Sequence, residues 1–531
     1  MAVRDRAAAP RTAGPLASPL FRALWIATIV SNVGTWMHDV GAGWLMTSLS
    51  PDPLMVALVQ GATTFPMFVL ALPAGALADI VDRRRLLIGA QLFGLLGAAG
   101  LAAMTLADLT TAPVLLAFTA LIAVGAAFSA PAFQAIVPEL VPPEALQRAV
   151  ALNSLGVNIA RAIGPALGGA IIAAAGPAAV FAVNALSVLG VVTVLWRWRR
   201  AASDRRLPAE HMIGAMRAGL RYAAQSAELK VVLIRAIGFF VFASGLWALL
   251  PIIARSDLGL GPAGYGGLLA FMGLGAVCGA VVLPKLRGHL ASNSIMLSAS
   301  ILLAAAMAGL SLAPGFPAAS AALFFAGVAW IAMMASLNGG AQATSPRWVK
   351  ARALAAYLLV FQGSMAAGSA LWGSLASRIG VGSTLLAAAA MLALAGLALT
   401  WRFPLDDAAM PDLSPSAHWP TPIVDGTIED DSGPVLVTIE YRIDPARVSA
   451  FFAEMQKMRR IRRRDGAIHW GVYEDTASPG TVIETFTVES WLEHLRQHDR
   501  VTNADRVHQD AVKAFQEGET PPVVRHFMMR R

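Results

Sequence analysis

Charge is what this 531-residue chain has least of. Asp, Glu, Lys and Arg make up 14% of it, against about 25% in an ordinary soluble protein. Hydrophobic residues make up 56%. That balance excludes an ordinary soluble fold for most of the chain. Cysteine is nearly missing too. The single Cys278 excludes an intrachain disulfide and a cysteine-based metal cluster. No Walker A pattern occurs, which argues against ATP hydrolysis, and no cofactor motif is visible. The start of the chain carries Arg4, Arg6 and Arg11 but no clean small-x-small cleavage site. The apolar segment behind it is too long for a signal peptide. Residues 1–20 therefore read as an uncleaved cytoplasmic tail.

What is present is a succession of apolar runs of 18 or more residues, each able to cross a hydrocarbon core about 30 Å thick. Spans are expected at 21–46, 54–78, 86–107, 113–136, 147–175 and 178–197, then at 231–254, 263–286, 293–313, 318–343, 352–376 and 382–402. Two sets of six flank a charged middle loop, 198–230. A bundle over 21–197 and a second over 231–403 suit a duplicated architecture with a path between its halves. The net charge is +8, yet the arginines sit mainly in the short gaps between runs. That pattern speaks for membrane orientation and against nucleic acid. With a cytoplasmic N-terminus, about twenty Lys and Arg fall inside, leaving Arg255 and Arg378 outside. Trp25, Trp44, Trp196, Trp198, Trp348 and Trp401 lie near span ends, as interfacial aromatics do.

Residues 75–85, "GALADIVDRRR", link spans 2 and 3. Gly75 and Ala78 are small enough for close helix approach. Asp79 is costly at the end of a span unless a cation or a helix N-terminus meets it. Arg83, Arg84 and Arg85 offer cations and can hold anionic headgroups. A charge contact made in one state and broken in another would act as a latch; a plain positive-inside anchor is the simpler alternative. The stretch resembles the loop signature of the major facilitator superfamily, G-x-L-A-D-R-x-G-R-R/K. It keeps Gly75, Leu77, Ala78, Asp79, Arg83 and Arg84, and departs at Ile80 and Asp82. The resemblance implies twelve helices in two six-helix bundles that switch between inward-open and outward-open states. Its counterpart in the second half, "GAVVLPKLRGHL", keeps Lys285 and Arg287 but has no acid.

Span 5 contains "RAIGPALGGAII". Gly164, Pro165, Gly168 and Gly169 are similar to the end of the family's antiporter signature, G-P-x-x-G-G. The earlier glycines of that signature are Ala151 and Ala160 here. The resemblance implies an exporter; the alternative is a kinked, tightly packed helix crossing with no direction implied. Taken with "SNVGTWMHDVGAGWLM" of span 1 and "GLRYAAQSAELK" of the middle loop, the chain resembles the enterobactin-exporter-like group, also called transmembrane secretion effectors.

Ionisable residues inside spans are functional candidates. Asp39, beside His38, lies roughly 26 Å up span 1, and Arg161 roughly 20 Å up span 5, at 1.5 Å per residue. They are at similar depth, so Asp39 is a candidate proton carrier with Arg161 setting its affinity. The alternative puts Asp39 in the headgroup layer and caps Arg161 with Asn158. His38 reads as a hydrogen-bonded structural residue. In the resembled fold spans 1, 4, 7 and 10 line the cavity, which implies Asn32, Trp36, Trp247, Trp330 and Asn338 as its lining. Aromatics and amides suit an amphipathic organic substrate, though interhelical packing explains them equally.

After Trp401 the chain becomes acidic and Pro-rich over 404–433, which reads as a linker. Residues 434–531 then read β-α-β-β-α-β, a soluble α+β ferredoxin-like domain. Val435, Val437, Ile439 and Tyr441 share one strand face. Asp444 and Pro445 start a helix whose apolar stripe holds Val448, Phe451, Phe452, Met455, Met458 and Ile461. The domain looks like an antibiotic-biosynthesis monooxygenase, a resemblance that implies dimers with paired sheets. His494 and His498 share a helix face but read as solvated, and "RRIRRR" at 459–464 reads as a solvated or membrane-facing run.

The expected protein is thus an all-α membrane protein with twelve transmembrane helices and a soluble ferredoxin-like domain. It sits in the bacterial cytoplasmic membrane with both termini inside. Its partners are a small organic molecule (siderophore-like or drug-like), protons and the bilayer, with no nucleic acid, no metal and no cofactor. The competing expectation is a membrane-tethered enzyme or sensor whose activity lies in residues 434–531.

Overall fold

The computed structural model describes residues 14–198, 212–346, 348–405, 412–416, 418–419, 429, 432–518 and 520–529. Short polar and proline signals start the helices. Ser18 accepts a hydrogen bond from the Phe21 N–H and precedes α1 (Pro19–Leu49). Asp52 accepts from the Leu54 N–H at 3.0 Å and starts α2 (Pro53–Ile80). Asp82 does the same for α3 (Arg83–Leu106) through the Arg85 N–H at 2.9 Å. These side chains satisfy N–H groups that have no partner in the first helical turn, and proline there forfeits only a donor that would be unpaired.

The fourth helix, α4, spans Ala112–Leu140, and α5 runs over 52 residues, Leu146–Arg197. Gly176 breaks α5 with a φ of +78°, a conformation glycine adopts without a steric penalty, and Pro177 opens the second leg. The two legs are spans 5 and 6. A separate helix, α6 (Met212–Gln225), lies within the middle loop. Then follow α7 (Ala227–Ile252), α8 (Pro262–Arg287), α9 (Ser292–Ser311), α10 (Phe316–Ala343), α11 (Lys350–Ile379) and α12 (Val381–Arg402). Among the described residues ten helices are long and apolar enough to cross a membrane. α5 counts once among them despite its two legs, and the more polar α1 is 31 residues long. The described chain therefore has the twelve expected crossing segments. Leu96 and Val281 are each 68% exposed, which water would penalise and lipid does not.

The chain divides into two compact units. One holds α1–α5, α8, α9 and α12 with most of α7, α10 and α11. In it α1 and α3 pack on α5, α2 and α3 on α4, and α9 on α12, while α5 and α1 meet α8. The α5–α8 contact is backbone against backbone. A Cβ on Gly169 would lie 2.5 Å from the Pro262 carbonyl oxygen and 3.0 Å from the Gly266 Cα. Gly164 and Gly168 do the same work toward α1, at Trp36 and Met37. The span 5 signature is thus a packing surface on both sides. Gly75 is not: a Cβ there would meet nothing within 4 Å, so the close approach expected at that residue is absent.

The other unit holds α6, the adjoining ends of α7, α10 and α11, and the chain from Leu405 on. It departs from the expected borders at 198–230, 231–403 and 404–433. Its sheet consists of β1 (Val435–Arg442), β2 (His469–Glu474), β3 (Thr481–Val488) and β4 (Val523–Met528), antiparallel in the order β2-β3-β1-β4. This is the ferredoxin-like order. Helix α13 (Val448–Asp465) presents Phe451, Met455 and Met458 to Tyr441 and Val482. The second expected helix is two, α14 (Trp491–Arg500) and α15 (Asn503–Lys513), the latter started by a Thr502–Asp505 capping box. The described residues of the expected linker are tied down: the Ser416 N–H donates to the Val501 carbonyl, and Trp419 donates to Gln509 at 2.7 Å.

Gly169→Ala should therefore overpack the α5–α8 contact and cost about 1–3 kcal/mol. Gly75→Ala should be neutral or slightly stabilising. Thermal unfolding of the purified protein in detergent compares the two; equal midpoints would contradict the packing described.

Candidate functional site

The two six-helix halves meet along a seam whose end nearest residues 50–52 and 258–261 is closed by polar and aromatic contacts. The Ser377 hydroxyl of α11 donates to Asp52 and accepts from the Leu54 N–H at 3.3 Å. Arg255 donates to Thr47 Oγ1 at 3.0 Å and lies over the Trp44 ring, 5.4 Å from its centroid. Trp44 stacks on Tyr265 of α8 with centroids 6.0 Å apart. None of these partners is close in sequence, so none was foreseen.

Further along the seam Trp36, Arg161, Trp247 and Trp330 surround a narrow space of about 10 Å³, room for one water. The Arg161 guanidinium carbon lies 5.4 Å from the Trp36 ring centroid. Trp36 and Trp247 are 6.3 Å apart, Trp247 and Trp330 5.5 Å. Three of the five expected cavity residues are thus assembled. Asn32 is not among the lining residues. Asn338 belongs to the second unit, where it accepts from Gln342 at 2.6 Å. No hydrogen bond or ion pair joins Asp39 to Arg161 among the described residues. Arg161 turns to Trp36 instead. Asn158 does not cap Arg161 either; its amide donates to the Ser154 carbonyl at 2.9 Å. His38 is buried against Phe181, and neither ring nitrogen has a partner among the described residues, unlike the hydrogen-bonded residue expected.

In the 75–85 loop the arginines reach across the bundle. Arg83 donates to the Ala135 carbonyl at 3.2 Å and to Glu139 at 3.1 Å. Arg84 donates to the Leu195 and Trp196 carbonyls at 2.6 and 2.7 Å. Both thus act on the C-terminal ends of helices, where cations are favoured. The Asp79 side chain lies outside the described residues. Arg235 within α7 is a buried cation, bonded to Asn293, to Thr400 at 3.2 Å and to the Phe403 carbonyl at 3.4 Å.

The soluble domain corrects two expectations. His494 is 1% exposed rather than solvated. Its ring packs on those of His526 and His498, with centroids 4.6 and 5.0 Å apart, and on Trp491. No group of three or more metal-ligating residues is assembled among the described residues. The 459–464 run is only partly a surface. Arg462 is buried and holds Glu484 through two bonds of 2.9 and 3.1 Å, with Trp470 also donating to Glu484 at 2.9 Å. Arg464 pairs with Asp465 at 2.8 Å and Asp505 at 2.6 Å, and lies over Tyr222 of α6. Arg221 and Arg500 converge on Glu493, and Arg500 stacks over Trp348, 4.5 Å away. The Tyr222 hydroxyl donates to the Thr344 carbonyl at 2.8 Å. The domain is therefore docked on α6 and on the α10–α11 turn.

A family profile described as "Transmembrane secretion effector" matches residues 11–531. The multidrug efflux pump Tap of Mycolicibacterium fortuitum is 25% identical over 402 residues, 72% of this chain and 94% of the relative. The enterobactin exporter EntS of Escherichia coli is 27% identical over 286 residues, 53% of this chain and 67% of the relative. A POT family transporter in complex with 5-aminolevulinic acid superposes with a TM-score of 0.61 at 13% identity, over 72% of this chain and 96% of that one. That likeness establishes the major facilitator fold.

Burial first, then the neighbouring His526, His498 and Arg462, push His494 down to about 3, and His498 falls to about 4. The unfolded chain binds these protons near pH 6.5 while the folded domain resists them. Stability is therefore complete above pH 6.5 and lost as pH falls toward 3. By pH 5 His494 alone should remove about 2 kcal/mol. Hydrogen exchange of α14 and β4 in the full-length protein, corrected for intrinsic rates, should show protection falling between pH 7.5 and 5. Unchanged protection would contradict the buried histidine cluster.

Proposed function

The chain belongs to the transmembrane secretion effector family, and on that premise we propose that it is a secondary exporter of a small organic molecule, siderophore-like or drug-like. The relatives named for an exported siderophore and for drug efflux support this reading. The observation that carries it is the position of Trp36, Arg161, Trp247 and Trp330 on the seam between two halves, beyond an end closed by reversible contacts. A site placed there faces one side of the bilayer or the other as the halves rock.

Transport runs as proton antiport. Asp39 carries the proton; it lies within α1, one turn from Trp36, where a carboxylate is stable only if it is paired or protonated. The loop at 75–85 is the conformational switch, with Gly75, Asp79, Arg83 and Arg84 as its working residues. The hold of Arg83 and Arg84 on α4 and α5 supports this, since such bonds can be exchanged between states. The arginine bias of the loops supports a cytoplasmic N-terminus and a cytoplasmic soluble domain in a bacterial inner membrane. That domain is a regulatory or binding module rather than an enzyme. The sheet face bearing exposed Leu436, Tyr473, Val523 and Phe527 suits dimerisation through paired sheets.

Asp39→Asn should abolish export driven by an imposed pH gradient in proteoliposomes while sparing substrate binding; coupled export at the normal rate would remove the proton role. Independently, a Cys278→Ser background carrying Asp52→Cys and Ser377→Cys should lose flux when a short bifunctional thiol reagent bridges the pair, and regain it on reduction. Full flux with the pair bridged would rule out alternating access across this seam.

A further inference from the structure

The central cavity contains polar groups of one kind. Arg161 Nε and Trp247 Nε1 are both buried without a hydrogen-bond partner. Both are donors that cannot accept. The lining holds no acid and no other charged side chain: apart from Arg161 it consists of tryptophan, methionine, leucine, proline, alanine and glycine. The guanidinium rests on the face of Trp36, a contact that satisfies its charge in part and its Nε–H not at all. Elsewhere in the same unit buried or partly buried cations are treated otherwise. Arg235 is bonded to a side-chain amide, a hydroxyl and a carbonyl. Arg84 is bonded to two carbonyls. Arg161 stands apart as a cation in the bundle interior whose partner has to come from outside the lining.

A partner that completes this site must supply acceptor oxygens with negative charge, because a partly buried guanidinium whose buried Nε–H has no acceptor is unfavourable. It must also present a flat apolar body, because the walls on either side are indole rings whose faces favour stacking. We propose that the substrate is an aromatic or flat organic anion, with a carboxylate or an ionised ring oxygen seated on Arg161 and its ring system between Trp36, Trp247 and Trp330. Arg161 is then the residue that selects charge, and organic cations of the same size are rejected by it. The space of about 10 Å³ means that the seam parts to admit the ligand and closes on it. This inference rests on the export reading above for its biological meaning, but its site can be tested by binding alone.

The test uses the full-length protein in lipid nanodiscs and two dyes with the same three-ring scaffold and opposite charge, fluorescein and rhodamine 123, at pH 8. Fluorescence anisotropy should give fluorescein an affinity about tenfold or more above that of rhodamine 123, as a charge-assisted hydrogen bond in a buried site provides. Arg161→Gln should remove that preference by weakening fluorescein, and Arg161→Lys should keep most of it. Trp247→Phe, which keeps a ring and loses the N–H, should weaken fluorescein by a few-fold. A single symmetric peak on size exclusion shows that each variant is folded. Equal affinity for the two dyes, binding of neither, or a preference that survives Arg161→Gln overturns the proposal; the last outcome would make Arg161 a structural partner of Trp36 only. Efflux of fluorescein from proteoliposomes is measured alongside. An anion that binds through Arg161 and never crosses leaves the site assigned and counts against the export reading instead.

Discussion

A bilayer core offers the peptide group no hydrogen bond, and that constraint governs everything in the larger unit. Backbone polarity has to be satisfied within helices, so the chain crosses as helices and turns only at capped ends. Side-chain charge is under the same pressure. Arg83, Arg84 and Arg235 answer it by donating to carbonyl groups near the ends of helices. These contacts tie the ends of α4, α5 and α12 to their neighbours. Against that background an interior arginine on an indole ring, with a donor unclaimed, is a departure that structure alone does not explain. Departures of that kind are where function is expected.

The seam follows from a second property of lipid. Apolar tails compete with apolar side chains, so close packing rather than water exclusion holds helices together. Gly169 and Gly266 bring two backbones into contact, and Gly273 meets the α5 backbone at Ala162. The closed end adds a hydroxyl–carboxylate bond, a cation over a ring and one aromatic stack. Each such contact is worth on the order of 1 kcal/mol. A seam built this way is firm enough to close and weak enough for a small ligand to bias.

In the second unit the governing interaction is different. Water is available, and burying charge is a choice of the fold. Arg462, Glu484, Trp470 and Tyr441 form a closed polar cluster inside the small domain, of the kind that specifies one packing more than it adds stability. The outer arginines 464 and 500 are turned to Tyr222 and Trp348. The domain is thus joined to α6 and to the α10–α11 turn by charged and aromatic contacts rather than by an apolar seam.

Composition and periodicity were sufficient for the class of protein, the twelve crossings and the order of strands in the small domain, though not for the split of its second helix into α14 and α15. Those features depend on local chemistry: run length against membrane thickness, and the alternation of apolar and polar residues within each short segment. The tryptophans of the cavity were also legible, because the family resemblance places particular helices around it. Partners were not. Glu139 lies 56 residues from Arg83 and Ser377 325 residues from Asp52, and depth along a helix does not say which way a side chain turns. Equal depth made Asp39 and Arg161 look like a pair, yet Arg161 faces Trp36. Four-residue spacing put His494 and His498 on one face, yet that face is the buried one. The sequence by itself determined that this chain crosses a membrane many times and carries a folded domain behind it, since burial in lipid is decided by each segment alone. Which charges are paired, and that Arg161 Nε has no partner among the described residues, emerged from the folded chain alone, because pairing depends on where distant segments meet.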